Sequence, residues 1–178
     1  MSLGRKIEKE VFNMKIGFVS LGCSKNLVDT EMMIKFYQDK GNEIVQNPAE
    51  AEVIIINTCG FIEAAKKEAI DTIFEMARYK EFGKCETLIV TGCLVERYLE
   101  ELQKELPEVD LFIPIRDYDK IFEKLDFKNR TITTGDFAYL KIAEGCSNNC
   151  TYCAIPYIRG KYVSRPFEDI IEEAKELY

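Results

Sequence analysis

Glu52-Val53-Ile54-Ile55-Ile56-Asn57-Thr58-Cys59-Gly60 decides the fold. Val53 to Ile56 is an unbroken apolar run, with no polar position to mark a wet face. Such a strand is buried on both faces, as in a parallel sheet. The run ends at Thr58-Cys59-Gly60, and the period then changes. Ile62, Ala65, Ala69, Ile70, Ile73 and Ala77 recur at helical spacing over about 61–79.

The same strand–cysteine–helix unit lies on either side. Residues 15–21, Lys-Ile-Gly-Phe-Val-Ser-Leu, end at Gly22-Cys23. A helix over 26–40 follows, with Leu27, Ile34 and Tyr37 on one face and Gly41 as its stop. Glu43 to Val45 is a brief second strand. Leu88-Ile89-Val90 ends at Thr91-Gly92-Cys93, and a helix over 94–105 carries Val95, Leu99 and Leu102 before Pro107 blocks it. Val109 to Ile113 is a fifth strand, and Asp117 can cap a last helix through Leu125. Alternating strands and helices predict a doubly wound parallel α/β sheet of about five strands over residues 14–128.

Residues 1–13 read as a tag or flexible extension, with Met1-Ser2-Leu3 as a cloning remnant and Met14 as a natural start. Residues 129–135 read as a linker. The chain restarts over 136–178 with a strand, Phe137-Ala138-Tyr139-Leu140-Lys141-Ile142, running into a cysteine loop. A helix begins near Pro166, which suits a first helical position. Phe167, Ile170, Ile171, Ala174 and Leu177 give it an apolar face with no partner. This predicts the first strand–loop–helix of a truncated barrel.

The loop is Gly145-Cys146-Ser147-Asn148-Asn149-Cys150-Thr151-Tyr152-Cys153. Cysteines at C-x3-C-x2-C spacing can hold three corners of an iron–sulfur cube and leave one iron open. The bland alternative is a zinc knuckle that borrows a distant fourth cysteine. Cys23, Cys59 and Cys93 form a second set. Each follows a predicted strand and precedes a predicted helix, so the carboxyl edge of the sheet brings them together. Helix N-termini there favour thiolates. Against this stands the fact that cores accept cysteine readily as a small hydrophobe. Cys85 precedes a strand, at the opposite edge, and reads as structural or surface.

Composition excludes several classes. The chain has no histidine, the commonest general base, and so no serine-triad chemistry. It has no phosphate loop of the G-x-x-x-x-G-K-[ST] type. A net charge of −7 without a basic run argues against this chain gripping nucleic acid directly. No stretch approaches a membrane span and no secretory leader is visible. Seven cysteines in a leaderless, Lys- and Glu-rich chain suit metal ligation in the cytoplasm. Redox or radical chemistry at clusters remains.

With both sets quoted, the sequence resembles a known family. Cys146, Cys150 and Cys153 match the motif of radical S-adenosylmethionine enzymes. Leu21-Gly22-Cys23-Ser24-Lys25-Asn26, Asn57-Thr58-Cys59-Gly60-Phe61-Ile62 and Thr91-Gly92-Cys93 resemble the N-terminal domain of methylthiotransferases. Cys153-Ala154-Ile155-Pro156, Arg159-Gly160 and Ser164-Arg165-Pro166 match as well. The resemblance implies a 4Fe–4S cluster on Cys146, Cys150 and Cys153 whose open iron chelates S-adenosylmethionine. It implies a second 4Fe–4S cluster on Cys23, Cys59 and Cys93 that carries the sulfur to be transferred. A substrate C–H bond then receives a methylthio group, and a flavodoxin or ferredoxin serves as electron donor.

Two branches of the family compete. One modifies an adenosine of tRNA, the other an aspartate of small-subunit ribosomal protein twelve. Cys23-Ser24-Lys25-Asn26-Leu27-Val28-Asp29 and Cys59-Gly60-Phe61-Ile62-Glu63 resemble the ribosomal-protein branch. Against the family's length, the rest of the barrel and a C-terminal RNA-binding-like domain are missing, and the substrate surface should lie there. The chain alone is therefore expected to be inactive. A non-catalytic zinc- or iron–sulfur-stabilised binding module and a simple electron-transfer protein are the alternatives of another class.

Five further residues and one helix face carry expectations. Lys25 and Asn26 either hydrogen-bond cluster sulfur or simply begin a helix. Arg159 and Arg165 either contact a cofactor carboxylate or substrate, or are solvated loop positions. Tyr152 corresponds to the family's aromatic near the adenine of the cofactor, and here it can be exposed. The Glu-rich face of the final helix is expected to be solvated.

Overall fold

The computed structural model describes residues 13–122, 127 and 130–178. The N-terminal extension, apart from Asn13, lies outside the described residues, as does the expected helix end at Leu125.

Five parallel strands make the central sheet. They are β1 (Lys15–Ser20), β2 (Glu43–Val45), β3 (Val53–Thr58), β4 (Thr87–Gly92) and β5 (Leu111–Ile113). Their order is β2-β1-β3-β4-β5, all pairs parallel, so the winding reverses between β1 and β3. Every residue of β3 is buried, as its unbroken apolar run requires.

Helices cover both faces. On one face α1 (Ser24–Asp39) places Met33 and Tyr37 over Ile16, Val53, Ile55 and Ile89. A short α5 (Tyr118–Ile121) closes that layer with Tyr118, Ile121 and Phe122. On the other face α2 (Glu63–Ala77), α3 (Tyr79–Phe82) and α4 (Cys93–Glu105) pack over Ile54, Ile56, Leu88 and Val90 through Ala69, Ile73, Met76, Val95 and Leu102. Alternate residues of one strand thus feed two cores. Burying each of the Ile, Val, Leu, Met and Phe side chains among these contributes about 1.5–3 kcal/mol.

Three local expectations change. Ile62, expected on the buried face of its helix, is 55% exposed, because it sits at the N-cap of α2 before the helical face is established. The Asp117 side chain makes no capping bond, and its carboxylate pairs with Lys120 Nζ at 2.5 Å. The strand expected over 137–142 does not form. Only β6 (Ala143–Glu144) is a strand, paired antiparallel with β7 (Val163–Ser164). A strand exists only where a neighbour takes its backbone groups in a regular ladder, and 137–142 has scattered contacts instead, such as the Arg165 N–H on the Ile142 carbonyl at 3.0 Å and Arg165 Nη1 on the Lys141 carbonyl. α6 (Ile155–Ile158) and α7 (Phe167–Leu177) complete the segment. The apolar face of α7 is open as expected, with Phe167 70% exposed.

Candidate metal centre

In a sheet of this order the crevice lies outside the carboxyl ends of the strands, at the reversal between β1 and β3. Cys23 and Cys59 flank that reversal, and Cys93 follows the next strand, β4. The register puts Ser20, Asn57 and Thr91 side by side just before them. Cys23 is the N-cap of α1 and Cys93 is the first residue of α4. The three are graded in access: Cys23 is exposed, Cys59 half-buried and Cys93 buried.

The backbone is shaped to bring them close. Gly22 has φ +96°, and a Cβ there would lie 2.7 Å from Cys59 Cβ. Gly92 has φ +98°, and a Cβ would lie 2.4 Å from Asn57 Oδ1 and from the Thr58 carbonyl. Both positions need glycine for conformation and for space. Asn26 fixes the floor between them. Its Nδ2 donates to the Leu21 and Thr58 carbonyls, each at 2.9 Å.

The third wall comes from the far end of the chain. Arg159, expected in one alternative to be a solvated loop residue, is buried. Its Nε donates to Cys93 Sγ at 3.3 Å, and its Nη2 donates to Asn26 Oδ1 at 2.5 Å. Its Nη1 donates to Asp29 Oδ2 at 2.7 Å and to Glu144 Oε2 at 3.2 Å. Lys141 Nζ bonds Asp29 Oδ1 at 2.7 Å and Glu144 Oε2 at 2.5 Å. Lys25 and Asn26 begin α1 as its second and third residues, as one alternative had it, and Lys25 Nζ donates to the Ala143 carbonyl at 2.9 Å and to Glu144 at 3.2 Å.

A second charged layer extends the contact. Glu31 of α1 accepts from Arg130 Nε at 3.1 Å and from the Thr133 N–H at 2.9 Å. Arg130 also pairs with Glu173 of α7, which in turn pairs with Arg165. Arg165 Nη1 donates to the Lys141 carbonyl at 2.6 Å. The Glu-rich face of the last helix is therefore not solvated throughout, since Glu173 is fully buried. Two arginines without a carboxylate between them would repel in a site that excludes water.

These charges set one another. Burial alone would push the Glu144 carboxyl up, but Lys141 and Arg159 more than offset it and hold it down at about 2. Burial works against the charge of Arg159, yet Asp29, Cys93 and Glu144 together keep its pKa above the ordinary value, so it stays a cation. Burial pushes the Cys93 thiol up, with Arg159 opposing it. An electropositive metal group in contact with this sulfur would remove its proton outright.

The loop set lies on the same docked segment. Cys146 and Cys153 are half-buried and Cys150 is exposed. The Cys146 N–H donates to the Gly160 carbonyl at 3.0 Å, and the Cys153 N–H to the Cys150 carbonyl at 3.1 Å. The Tyr162 N–H donates to Ser147 Oγ at 3.1 Å. Tyr152 is 85% exposed. Cys85 is buried in the core under α2, with Sγ 3.5 Å from the Thr87 carbonyl, as a structural cysteine should be.

Among the described residues no three Cys, Asp or Glu side chains converge on a single-ion position. A cubic cluster does not ask for that, because each thiolate ligates a different corner iron and the sulfurs stand apart around it. The donor set fits such a group. It is all soft thiol, two members stand at helix N-termini, and a buried guanidinium faces one of them. The positions of the six cysteines, at strand ends and in one loop, were legible in the sequence. Asp29, Glu31, Arg130, Lys141, Glu144 and Glu173 were not.

Comparison with known proteins shows the family of the chain. Residues 15–114, more than half of the chain, match the family described as Uncharacterized protein family UPF0004. Residues 140–178 match the Radical SAM superfamily. The chain is 54% identical to "Ribosomal protein uS12 methylthiotransferase RimO" of Alkaliphilus oremlandii, over 92% of this chain and 41% of that protein. It is 52% identical to the protein of the same name from Clostridium tetani, again over 92% and 41%. With that of Clostridioides difficile the identity is 50%, over 92% and 42%. The chain thus spans about two fifths of the length of the curated relatives it matches. Among the described residues no helix is long and apolar enough to cross a membrane.

Proposed function

This chain belongs to the UPF0004 family, and from that footing we propose that it works as part of a methylthiotransferase acting on an aspartate of ribosomal protein uS12. The observation that carries the reading is the position of Cys23, Cys59 and Cys93 at the carboxyl ends of three adjacent parallel strands, under a docked segment that bears Cys146, Cys150 and Cys153. Residues 14–128 form the sheet domain, 129–135 the linker and 136–178 the opening of a radical S-adenosylmethionine domain.

Each cysteine set holds a 4Fe–4S cluster through three thiolates and leaves one iron free. When bound, these groups supply the reducing electron for S-adenosylmethionine and the sulfur that replaces the substrate hydrogen. The chain's residues do the rest. Cys23 is exposed and opens its site to the outside, whereas Cys93 is sealed under Arg159. Tyr152 has a free ring face for the adenine of the cofactor. A small redox protein of the flavodoxin or ferredoxin type supplies electrons. The net charge of −7 suits a basic ribosomal protein, and such a substrate places the reaction in the cytoplasm.

Anaerobic reconstitution with iron and sulfide tests the reading. About eight irons per chain are expected, falling to about four when either cysteine trio is replaced by alanine. Stoichiometric zinc, or iron uptake indifferent to both replacements, would overturn it. For the substrate, the full-length enzyme with S-adenosylmethionine should add one methylthio group to uS12. Modification of tRNA instead would reject the branch.

A further inference from the structure

All three nitrogens of the Arg159 guanidinium are engaged, and one of them reaches sulfur. Nε donates to Cys93 Sγ at 3.3 Å, Nη1 to Asp29 at 2.7 Å and Nη2 to Asn26 Oδ1 at 2.5 Å. The Arg159 side chain is 2% exposed. Its anchors are held independently of it. Lys141 grips the other oxygen of Asp29, and the Leu21 and Thr58 carbonyls grip Asn26. Arg159 therefore cannot swing off the sulfur without leaving two fixed acceptors, Asp29 and Asn26.

The contact also crosses the molecule. Arg159 belongs to the segment that carries the Cys146–Cys153 loop, while Cys93 opens α4 of the sheet domain. A charge-assisted hydrogen bond to a ligand sulfur stabilises the more negative, reduced form of an iron–sulfur group, and so raises its reduction potential.

We propose that Arg159 is a positioning residue which, by donating Nε–H to Cys93 Sγ, raises the reduction potential of the group held by Cys23, Cys59 and Cys93. The inference rests on the reading of those three cysteines as cluster ligands.

The test uses the whole chain with Cys146, Cys150 and Cys153 changed to alanine, reconstituted anaerobically so that one cluster remains. Dithionite delivers one electron per cluster, and electron paramagnetic resonance reads the reduced fraction against potential. Arg159→Gln should lower the midpoint. At the parent midpoint the ratio of reduced to oxidised cluster should fall about tenfold, which is about 59 mV for a one-electron couple. Arg159→Lys keeps the charge but loses the fork, and should shift less in the same direction. Glu31→Gln loosens the docked segment away from the sulfur and should leave the midpoint unchanged.

An unchanged midpoint in Arg159→Gln with about four irons bound overturns the proposal. So does an equal shift in Glu31→Gln, which would make the effect one of docking in general. Where Arg159→Gln fails to take up iron, Arg159→Lys decides, and a midpoint equal to the parent's overturns the proposal. A parent that binds no iron overturns the cluster assignment itself, and the iron count separates that failure from the others.

Discussion

Asp29 and Arg159 stand 130 residues apart in sequence and are joined by a buried salt bridge of 2.7 Å. Asp29 lies on α1, one turn past Lys25, and it is also the partner of Lys141. One carboxylate therefore ties two cations of the C-terminal segment to the sheet domain.

Asp29→Asn should break that tie. Removing one partner of a buried ion pair leaves an uncompensated charge and costs about 3–5 kcal/mol. Because Arg159 and Lys141 retain Glu144, the low end of that range is expected. Denaturant titration should show a new early transition in which residues 130–178 come away while the sheet persists. A single transition at the original midpoint would reject this account.

Glu173→Gln tests the second layer. Glu173 pairs with both Arg130 and Arg165. With its charge removed, α7 loses its docking, since Glu173 is its only buried residue. Amide hydrogen exchange over Phe167–Leu177 should accelerate toward that of an unprotected helix, with β1, β3 and β4 unchanged.

Much of the sheet could be read in the sequence because its signal is local. The run Val53 to Ile56 is apolar at every position, and its only stable home is a strand covered on both faces. The two cysteine sets were legible for the same reason, through strand ends in one case and spacing in the other. The ionic layers were not. Asp29 and Glu31 lie among Val28, Met32 and Met33, and a helix with apolar residues on every side is a sign of full burial. Nothing local names Arg130, Lys141 or Arg159 as their partners. Strand 137–142 was misread because β-type composition cannot supply the neighbour that a strand needs.

Gly92→Ala should damage the thiol edge. The residue would adopt φ near +98° and press its Cβ on Asn57 and Thr58. The strain alone costs about 1–3 kcal/mol, and the clash adds to it. Lower melting temperature and reduced iron uptake at the Cys23 set are expected together. Full iron uptake with unchanged melting would contradict the packing described.

Cys85→Ala separates the structural cysteine from the other six. Cys85 is 5% exposed and packs in the core under α2. Losing its sulfur should cost about 1 kcal/mol and leave iron stoichiometry unchanged. A fall in bound iron would make Cys85 a ligand.

The long reach of the ionic layers has a consequence for synthesis. The last strand of the sheet ends at Ile113, whereas the cations that face α1 lie at Arg130, Lys141 and Arg159, and Glu173 pairs with Arg130 later still. A ribosome adding about 5–20 residues per second takes several seconds to cover that interval. During it the nascent sheet domain can fold with Asp29 and Glu31 still open to water, since neither is needed to hold a strand. Charge thus keeps this face of α1 soluble while it waits, where an apolar face would invite premature association.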